Sequence, residues 1–332
     1  MAYTIKDIAK KVGVSPSTVS RVINGTATIS DETTQKIRAA MEELNYHPNS
    51  MARSFATGLT KTIALVIDAD NEKNFANSFF NRSVFAIEKQ AQEEGFNLLI
   101  ANGNKSVGVS ASQLVYEKKV DGLIIPPNCM NKELENLVKK DEFPCVLLGK
   151  PAKGKKTFSW VDIDNCGGSK LAIRHLLNQG YRRPVLFVEN EETVFDSERA
   201  FGYREVLAGK CQIIVHMDEE ANLWEKLFAL YTKEKMDSAI CSNNEIAFRV
   251  SRELKQHGFA LPDDFGMVTF DNYPLAEYME PPLSVIDVDT YTLGMVATKQ
   301  LIAMIQNKKA KNACEIIPTK LIERESTRKR KE

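Results

Sequence analysis

A short segment near the N-terminus, residues 15–24, combines small hydroxyl side chains with one arginine. Small hydroxyls let a helix lie deep in the DNA major groove and bond phosphates, and an arginine can donate two hydrogen bonds to guanine O6 and N7. The apolar residues Val19, Val22 and Ile23 recur at helical spacing and are expected to pack inward. The segment therefore predicts a DNA-reading helix, with Ser17, Thr18, Ser20 and Arg21 left outside.

Local signals make this helix the second of a helix-turn-helix. Thr4 and Asp7 form a T-x-x-D capping box that begins a first helix. Gly13 ends that helix, since glycine adopts the left-handed conformation at little cost. Ser15 then caps the second helix, with Pro16 at the first helical position, where a missing N–H costs nothing. Two short helices joined by a three-residue turn are the helix-turn-helix arrangement.

A third helix is predicted from Ser30 to about Leu44, with acidic residues favourable in its first turn. Ile37, Met41 and Leu44 would face the first two helices. Lysines on the first helix suit contacts to the DNA backbone, which set register more than sequence. The pattern leaves one alternative open, a small three-helix bundle with no DNA role.

The composition is that of a globular protein with two or three domains: 332 residues, 43% hydrophobic and 27% charged, with a formal net charge of zero. Charges stand where a signal peptide would need an apolar stretch, and no apolar run approaches the roughly 20 residues of a membrane helix. Six cysteines show neither a CxxC pair nor zinc spacing, and we expect mostly buried free thiols. These observations predict a cytoplasmic protein with no membrane segment, metal or cofactor.

From Lys61 onward, apolar runs alternate with helical stretches. Such runs indicate buried parallel strands, and two successive β-α-β series imply two doubly wound lobes with a cleft between them. The expected strands are 63–67, 97–101, 122–126 and 145–149 in the first series, and 184–188, 211–215, 237–241 and 266–270 in the second.

Polar residues follow several of these strands, where ligands of open α/β sheets collect. Asp68 and Lys150 follow strands of the first series, and Asn243 and Asp271 follow strands of the second. Each residue also has a purely structural interpretation, because an Asp or Asn after a strand is often only a helix cap or turn former.

The first 55 or so residues closely resemble the headpiece of the lactose-repressor (LacI/GalR) family, through TIKDIA at 4–9, GVSPSTVSRVING at 13–25 and LNYHPNSMARS at 44–54. The resemblance implies a DNA-binding domain over 1–47 and a hinge helix with linker over 48–60. It places Pro16, Ser17 and Arg21 at base-reading positions. The hinge helix, Pro48 to Thr57, would enter the minor groove when two chains sit on one operator.

In that family a leucine of the hinge helix usually wedges into the central base step, and here the matching residue is Phe55. The alternative for Phe55 is a packing role against the core, and Arg53 is the expected phosphate partner. The complete set predicted to contact DNA is Thr4, Ser15, Pro16, Ser17, Thr18, Ser20, Arg21, Asn24, Asn49, Ala52, Arg53 and Phe55.

The rest of the chain resembles the periplasmic-binding-protein-type core of the same family, through NSFF at 77–80, VDGLII at 120–125, VDIDN at 161–165, RAFGYR at 199–204 and PPLSVID at 281–287. The resemblance implies an effector-binding and dimerisation core over 61–332. Its N-lobe would comprise about 61–160 plus 290–317, and its C-lobe about 161–289 plus 318–332.

Carried over residue by residue, the resemblance lines the cleft with hydroxyl-binding groups on Arg199, Asn243 and Asp271, and with aromatic faces for a sugar. The aromatic residues are Phe79, Phe80 and Trp160. Three positions depart from the family. Asn243 and Asn244 replace the usual Asn-Asp pair after the strand, and Ser197 replaces an arginine that is common upstream of Arg199. Glu219 stands where an aromatic residue is frequent, and Trp224 nearby is the alternative aromatic.

Segments 146–151, 160–165, 286–294 and 316–324 most resemble maltose-operon regulators. We therefore expect a homodimeric repressor that binds a pseudo-palindromic operator and responds to a maltose- or maltodextrin-type sugar. The direction of that response and a protein corepressor on the N-lobe stay open. A sugar receptor would not need residues 1–57, and an enzyme is disfavoured because GxGxxG, Walker and GxSxG motifs are absent and the four histidines are scattered.

Overall fold

The computed structural model of the chain describes residues 3–25, 28–47, 54, 58–68, 78–103, 110–151, 158–217, 222–307 and 312–327. The chain forms two compact units. The first unit comprises residues 1–62 with 113–121, and the second comprises residues 63–112 with 122–332.

The N-terminal domain consists of three helices, α1 (Ile5–Val12), α2 (Pro16–Asn24) and α3 (Asp31–Glu43). Their shared core is built from one or two buried residues of each helix, including Ile8, Val19 and Ile37, with Met41 and Leu44 packed against it. Such a small core gives the domain only a small free energy of unfolding. The helix caps therefore matter to the stability of this domain.

The predicted caps are confirmed. The Asp7 carboxylate accepts hydrogen bonds from the backbone N–H (2.8 Å) and the hydroxyl (2.7 Å) of Thr4. Gly13 ends α1 with φ 76°, in the left-handed region. The hydroxyl of Ser15 accepts from the backbone N–H of Thr18 at 3.1 Å, and Ser30 caps α3 in the same way. The turn between α1 and α2 is thus set by local interactions.

The first lobe contains a six-stranded sheet in the order β11-β5-β4-β3-β1-β2. The pairs β1–β3, β3–β4, β4–β5 and β5–β11 are parallel. Its elements are β1 (Thr62–Ile67), α4 (Ser78–Glu93), β2 (Asn97–Asn102), α5 (Ala111–Tyr116), β3 (Gly122–Ile125), α6 (Lys132–Lys140), β4 (Cys145–Leu148), β5 (Ser159–Ile163), α12 (Thr290–Gln306) and β11 (Cys314–Ile317).

The second lobe contains another six-stranded sheet, in the order β12-β10-β9-β8-β6-β7. Its pairs are parallel except β10–β12, which is antiparallel. Its elements are α7 (Asn165–Asn178), β6 (Pro184–Val188), α8 (Val194–Val206), β7 (Ile214–His216), α9 (Leu223–Thr232), β8 (Ser238–Cys241), α10 (Asn244–Gln256), β9 (Gly266–Phe270), α11 (Pro274–Tyr278), β10 (Ser284–Asp287) and β12 (Lys320–Ile322).

The chain crosses between the lobes three times, after β5, after β10 and after β11. Two crossings lie side by side, because the backbone N–H of Asp164 donates to the carbonyl of Ile317 at 2.9 Å. The sheet of the first lobe keeps residues 161–163, so the first crossing falls three residues beyond the predicted 160/161 boundary. Two doubly wound lobes are therefore present as expected, joined by adjacent backbone segments.

Several local predictions need correction. The strand predicted at 211–215 lies at Ile214–His216, and β2 is an edge strand with an exposed rather than buried pattern. Strands β5, β10, β11 and β12 were not predicted, because their apolar runs are short and interrupted by charged residues. The cysteines are free, but only Cys145 and Cys241 are buried, while Cys211 and Cys314 are exposed. No helix within the described residues is long and apolar enough to cross a membrane.

Helices α7 and α8 pack so closely that Gly202 has no room for a side chain. A Cβ added at Gly202 would collide with the backbone carbonyl oxygen of Cys166 in α7 and would crowd Ser169 at 3.1 Å. Backbone atoms cannot move aside as the end of a flexible side chain can. The functional residues carried by α8 are therefore placed by a backbone-to-backbone contact.

We expect Gly202→Ala to lower the free energy of unfolding by about 2 kcal/mol, because overpacking costs outweigh the gain of about 1 kcal/mol that alanine brings to an open helix. Urea unfolding followed by circular dichroism measures the effect. Phe201→Ala is the neighbouring control, since Phe201 is 59% exposed, and should change stability far less. A stabilised Gly202→Ala variant would contradict the close packing.

Candidate functional site

The predicted DNA-reading helix presents part of the expected surface. Ser17, Arg21 and Pro16 are exposed on α2. Thr18 and Ser20 are half-buried and are partly used inside the domain: the Thr18 hydroxyl lies 2.9 Å from that of Ser15, and the Ser20 hydroxyl accepts from Asn24 Nδ2 at 3.2 Å. The Ser17 hydroxyl, although exposed, also lies 2.7 Å from that of Ser15. In exposure, the expectation that all four polar side chains point outward is right for Ser17 and Arg21 and too broad for Thr18 and Ser20.

The predicted hinge contacts lie outside the described residues. Asn49, Ala52, Arg53 and Phe55 belong to this group, as do most residues of the segment 48–57. Their roles stay predictions from the sequence. Thr4, Ser15 and Asn24 are described and serve α1 and α2 as a cap, a cap and a side-chain donor, respectively.

In the second lobe, Arg199 lies at the carboxyl ends of the strands. Its guanidinium is 5% exposed and stacks over Phe270, with 3.9 Å from Cζ to the ring centroid. Nε donates to Asn165 Oδ1 at 2.9 Å, and Nη1 donates to the carbonyl of Ser242, just after β8. Arg199 is therefore held from two sides and presents a fixed positive charge at this sheet edge.

Asp271 follows β9 and faces that charge. Its backbone has φ 74°, a left-handed conformation that is uncommon for residues other than glycine and that clusters at functional sites. Its buried Oδ1 has no hydrogen-bond partner among the described residues. Burial raises the pKa of Asp271 from 3.8 to about 6, although the nearby Arg199 guanidinium opposes the rise. An unsatisfied buried carboxylate oxygen in a polar pocket is an acceptor that awaits a donor.

Asn243 and Asn244 divide the work at the end of β8. Asn243 is the N-cap of α10: its Oδ1 accepts from Ile246 N at 2.8 Å, and its Nδ2 donates to Glu189 at 2.8 Å. Asn244 is 7% exposed, donates through Nδ2 to the carbonyl of Asp271 at 3.0 Å, and keeps a buried Oδ1 without a partner in the described residues. Sequence reasoning missed Asn244, although a second Asn after the strand was the available signal.

The first lobe brings Lys150 and Trp160 to the same region. The Lys150 ammonium forms an ion pair with Glu198 of α8 and lies 5.9 Å from the centre of the Trp160 ring. The Lys150 backbone N–H donates to Asp162 Oδ2 at 2.9 Å. Burial raises the pKa of Asp162 to about 6, while backbone hydrogen bonds oppose the rise. The ion pair therefore joins the two lobes one residue away from Arg199.

The structure places the other aromatic residues that were considered for the site, Phe79, Phe80 and Trp224, in different parts of the core. Phe79 and Phe80 are half-buried in the first turn of α4. Trp224 does not replace the aromatic expected at 219, because its ring stacks on His257 at 3.5 Å. His257 follows the C-terminus of α10, some 13 residues from the end that holds Asn244, which is about 20 Å along the helix. Trp224 therefore packs at the far side of the second lobe, and Glu219 lies outside the described residues.

The assembled groups suit a neutral polyhydroxylated ligand. Arg199 supplies donors, Asp271 and Asn244 supply acceptors with no partner in the described ranges, and Trp160 supplies an aromatic face. Sugars are recognised by a few fixed polar groups with stacking on apolar sugar faces. Among the described residues, no group of three or more His, Cys, Asp or Glu side chains is placed to hold a metal ion.

Comparison with known proteins identifies the class. Residues 4–49 match bacterial regulatory proteins of the lacI family, and residues 173–327 match the periplasmic binding protein-like domain. The HTH-type transcriptional regulator MalR of Streptococcus pneumoniae serotype 4 is 32% identical over 341 residues, covering 98% of this chain and 100% of the relative. The chain belongs to the lacI family. It is a DNA-binding transcriptional repressor, and its relatives are regulators rather than enzymes.

Solved structures agree with the fold. The transcriptional regulator CelR in complex with cellobiose has a TM-score of 0.70 and 27% identity, with 98% of this chain and 99% of that chain covered. The lac repressor dimer bound to operator and the anti-inducer ONPF has a TM-score of 0.79 at 22% identity, with 99% of this chain and 100% of that chain covered. The headpiece followed by a two-lobed α/β core is thus the lac-repressor fold.

Asp271 predicts a specific pH dependence. Because its pKa is raised to about 6 in the folded protein, its stabilising contribution is complete below about pH 4 and is lost as the pH rises through 6. Asp271→Asn cannot ionise, so its stability relative to the unmodified chain should rise between pH 4 and pH 8, by about 3 kcal/mol at most. Thermal unfolding across this pH range measures the difference.

Asp289→Asn is the control of opposite sign. Burial alone would raise the pKa of Asp289, but hydrogen bonds from the backbone and hydroxyl of Thr292 lower it. Its ionised form therefore stabilises the fold, and this contribution is lost as the pH falls through the lowered pKa. Asp289→Asn should destabilise the protein at neutral pH and less so in acid. Parallel pH profiles for the two variants would refute the assignment for Asp271.

Proposed function

We propose that the chain is a homodimeric repressor of a carbohydrate operon, whose operator affinity changes when a small sugar binds between the lobes. The observation that carries the proposal is the buried Arg199 guanidinium near the acceptor oxygens of Asp271 and Asn244, which have no hydrogen-bond partner among the residues that the structure describes. Such a repressor would act in the cytoplasm, on the operator DNA of the nucleoid.

We assign the sugar contacts to Phe79, Phe80, Trp160, Arg199, Asn243 and Asp271, and add Asn244. Asn243 Nδ2 carries a second hydrogen beyond the one given to Glu189, so its cap role is compatible with a sugar contact. A maltose- or maltodextrin-type effector is favoured by the similarity to a protein named MalR. Cellobiose is the second candidate, because it is the ligand of the CelR complex.

Sugar binding would act on the relation between the lobes. Lys150 and Glu198 connect the lobes near the cleft, and the crossing segments at Asp164 and Ile317 are hydrogen-bonded to each other. A ligand that contacts both lobes stabilises one relative arrangement over another. The operator affinity then changes by the ratio of the two affinities of the ligand.

A homodimer is supported by exposed apolar side chains on the second lobe. Tyr278 is 78% exposed, and Leu275 and Phe248 are also exposed. Lys255, on the same helix as Phe248, lies 3.9 Å from Glu280, which brings these residues to neighbouring surfaces. Apolar side chains rimmed by charges are typical of protein interfaces. Two identical headpieces would bind the two halves of a pseudo-palindromic operator.

Arg21→Ala tests the DNA-reading helix. We expect it to weaken binding to the selected operator by about 10- to 100-fold and to relax the preference for a guanine, because a bidentate contact contributes about 1–3 kcal/mol of discrimination. Lys10→Ala, on α1, should weaken binding to all sequences alike. Fluorescence anisotropy with operator and random duplexes separates the two effects. Equal loss on both duplexes would remove Arg21 from base recognition.

The effector proposal predicts binding of at least one α-glucoside in isothermal titration with maltose, maltotriose, cellobiose, glucose and ribose. Asp271→Asn should weaken that binding by about 100-fold, because a hydrogen bond to a charged group is worth roughly 1.5–3 kcal/mol. Asp263→Asn, an exposed position of the same lobe, is the matched control. Binding of cellobiose alone would move the effector class to β-glucosides, and silence toward all five sugars would reject the sugar effector.

A further inference from the structure

The chain enters the first lobe through a clamp made by one carboxylate. Asp121 Oδ1 accepts the backbone N–H of Thr60 at 2.8 Å, and its Oδ2 accepts that of Lys61 at 2.7 Å. The backbone N–H of Asp121 donates in turn to the carbonyl of Thr62 at 2.7 Å. Asp121 is only 9% exposed. Three hydrogen bonds therefore hold residues 60–62 against the residue that precedes β3.

The second lobe repeats this clamp at the equivalent place. Asp237 precedes β8, and its carboxylate accepts the backbone N–H groups of Arg182 (2.7 Å) and Arg183 (2.9 Å), just before β6. The two aspartates therefore have the same structural role. Each one precedes a strand and accepts backbone N–H groups of the residues that lead into the neighbouring strand, β1 for Asp121 and β6 for Asp237. Asp237 provides a control within the same chain.

The two clamps differ in what they hold. In the second lobe, the clamped residues Arg182 and Arg183 are followed directly by Pro184, the first residue of β6 that pairs with β8. In the first lobe, Thr62 separates the clamped residue Lys61 from Ile63, the first residue of β1 that pairs with β3. Lys61 itself adopts a left-handed φ of 54°. This conformation is unfavourable for lysine, so the hydrogen bonds of Asp121 are needed to keep it. The first clamp thus imposes a bend that the second does not.

The segments that precede the two clamps also differ. Residues 48–60 were predicted as hinge helix and linker, whereas Arg182 follows a helix of the same lobe. We propose that Asp121 is a positioning residue for operator recognition: it fixes the direction in which the linker leaves the core and thereby the distance between paired hinge segments. The inference rests on the proposed homodimer.

The test compares Asp121→Asn with Asp237→Asn in the full-length chain. Asparagine keeps the size of the side chain but replaces one acceptor with a donor, so each variant loses one clamp hydrogen bond. The DNA probe is the duplex that the unmodified chain selects from a random library, together with versions carrying one base pair inserted or removed at its centre. Fluorescence anisotropy measures each affinity, and urea unfolding measures each stability.

Both variants should lose comparable stability. Asp121→Asn should also reduce the preference for the selected spacing about tenfold, whereas Asp237→Asn should keep it within twofold. The double variant Asp121→Asn/Lys61→Gly serves if Asp121→Asn alone does not fold, because glycine adopts the left-handed φ of residue 61 without the strain that lysine carries. It still lacks one clamp hydrogen bond and should therefore also lose the spacing preference about tenfold.

Retention of the spacing preference by Asp121→Asn, or by Asp121→Asn/Lys61→Gly where that variant stands in for it, would overturn the inference while leaving the repressor function untouched. Selection of a site without two-fold symmetry by the unmodified chain would reject the homodimer, and the inference with it. An equal loss of preference in Asp121→Asn and Asp237→Asn would show that stability alone controls spacing, which also overturns the inference.

Discussion

A buried guanidinium is the interaction on which the second lobe is organised. Taking Arg199 out of water carries a large desolvation cost, which hydrogen bonds to Asn165 and Ser242, stacking on Phe270 and nearby carboxylates must offset. These partners come from α7, the residue just after β8, and β9. The requirement to hold one charge therefore aligns three elements at the carboxyl edge of the sheet, and leaves Asp271 with an acceptor that no group among the described residues satisfies.

Polar contacts also lie at both ends of the first-lobe strands. Lys150 and Glu198 join the lobes next to Arg199, while Asp121 holds residues 60 and 61 at the other end of the first-lobe strands. Between them lie parallel strands whose register is set by backbone hydrogen bonds. The ion pair and the hydrogen bonds of Asp121 therefore lie at opposite ends of the strands of one parallel sheet.

Prediction succeeded where the determining interactions lie close together in the sequence. Thr4 with Asp7, Ser15 with Thr18, and Gly13 each act within three or four residues, so their roles can be recognised without the fold. Long apolar runs such as 184–188 and 266–270 are equally self-evident. Short edge strands such as β12 escaped prediction, because an edge strand is defined by its neighbour more than by its own composition.

The sequence by itself determined the helix-turn-helix, the two α/β lobes and the family, because helix caps, hydrophobic periodicity and short sequence motifs are local properties. Only the tertiary structure decided which polar groups remain free. Asn243 and Asn244 are the same residue type in adjacent positions, yet one amide oxygen caps a helix and the other is buried with no hydrogen-bond partner in the described part of the chain. Likewise, Trp224 became a packing residue through His257, 33 positions later in the chain. Such outcomes depend on contacts between distant segments, which no local pattern encodes.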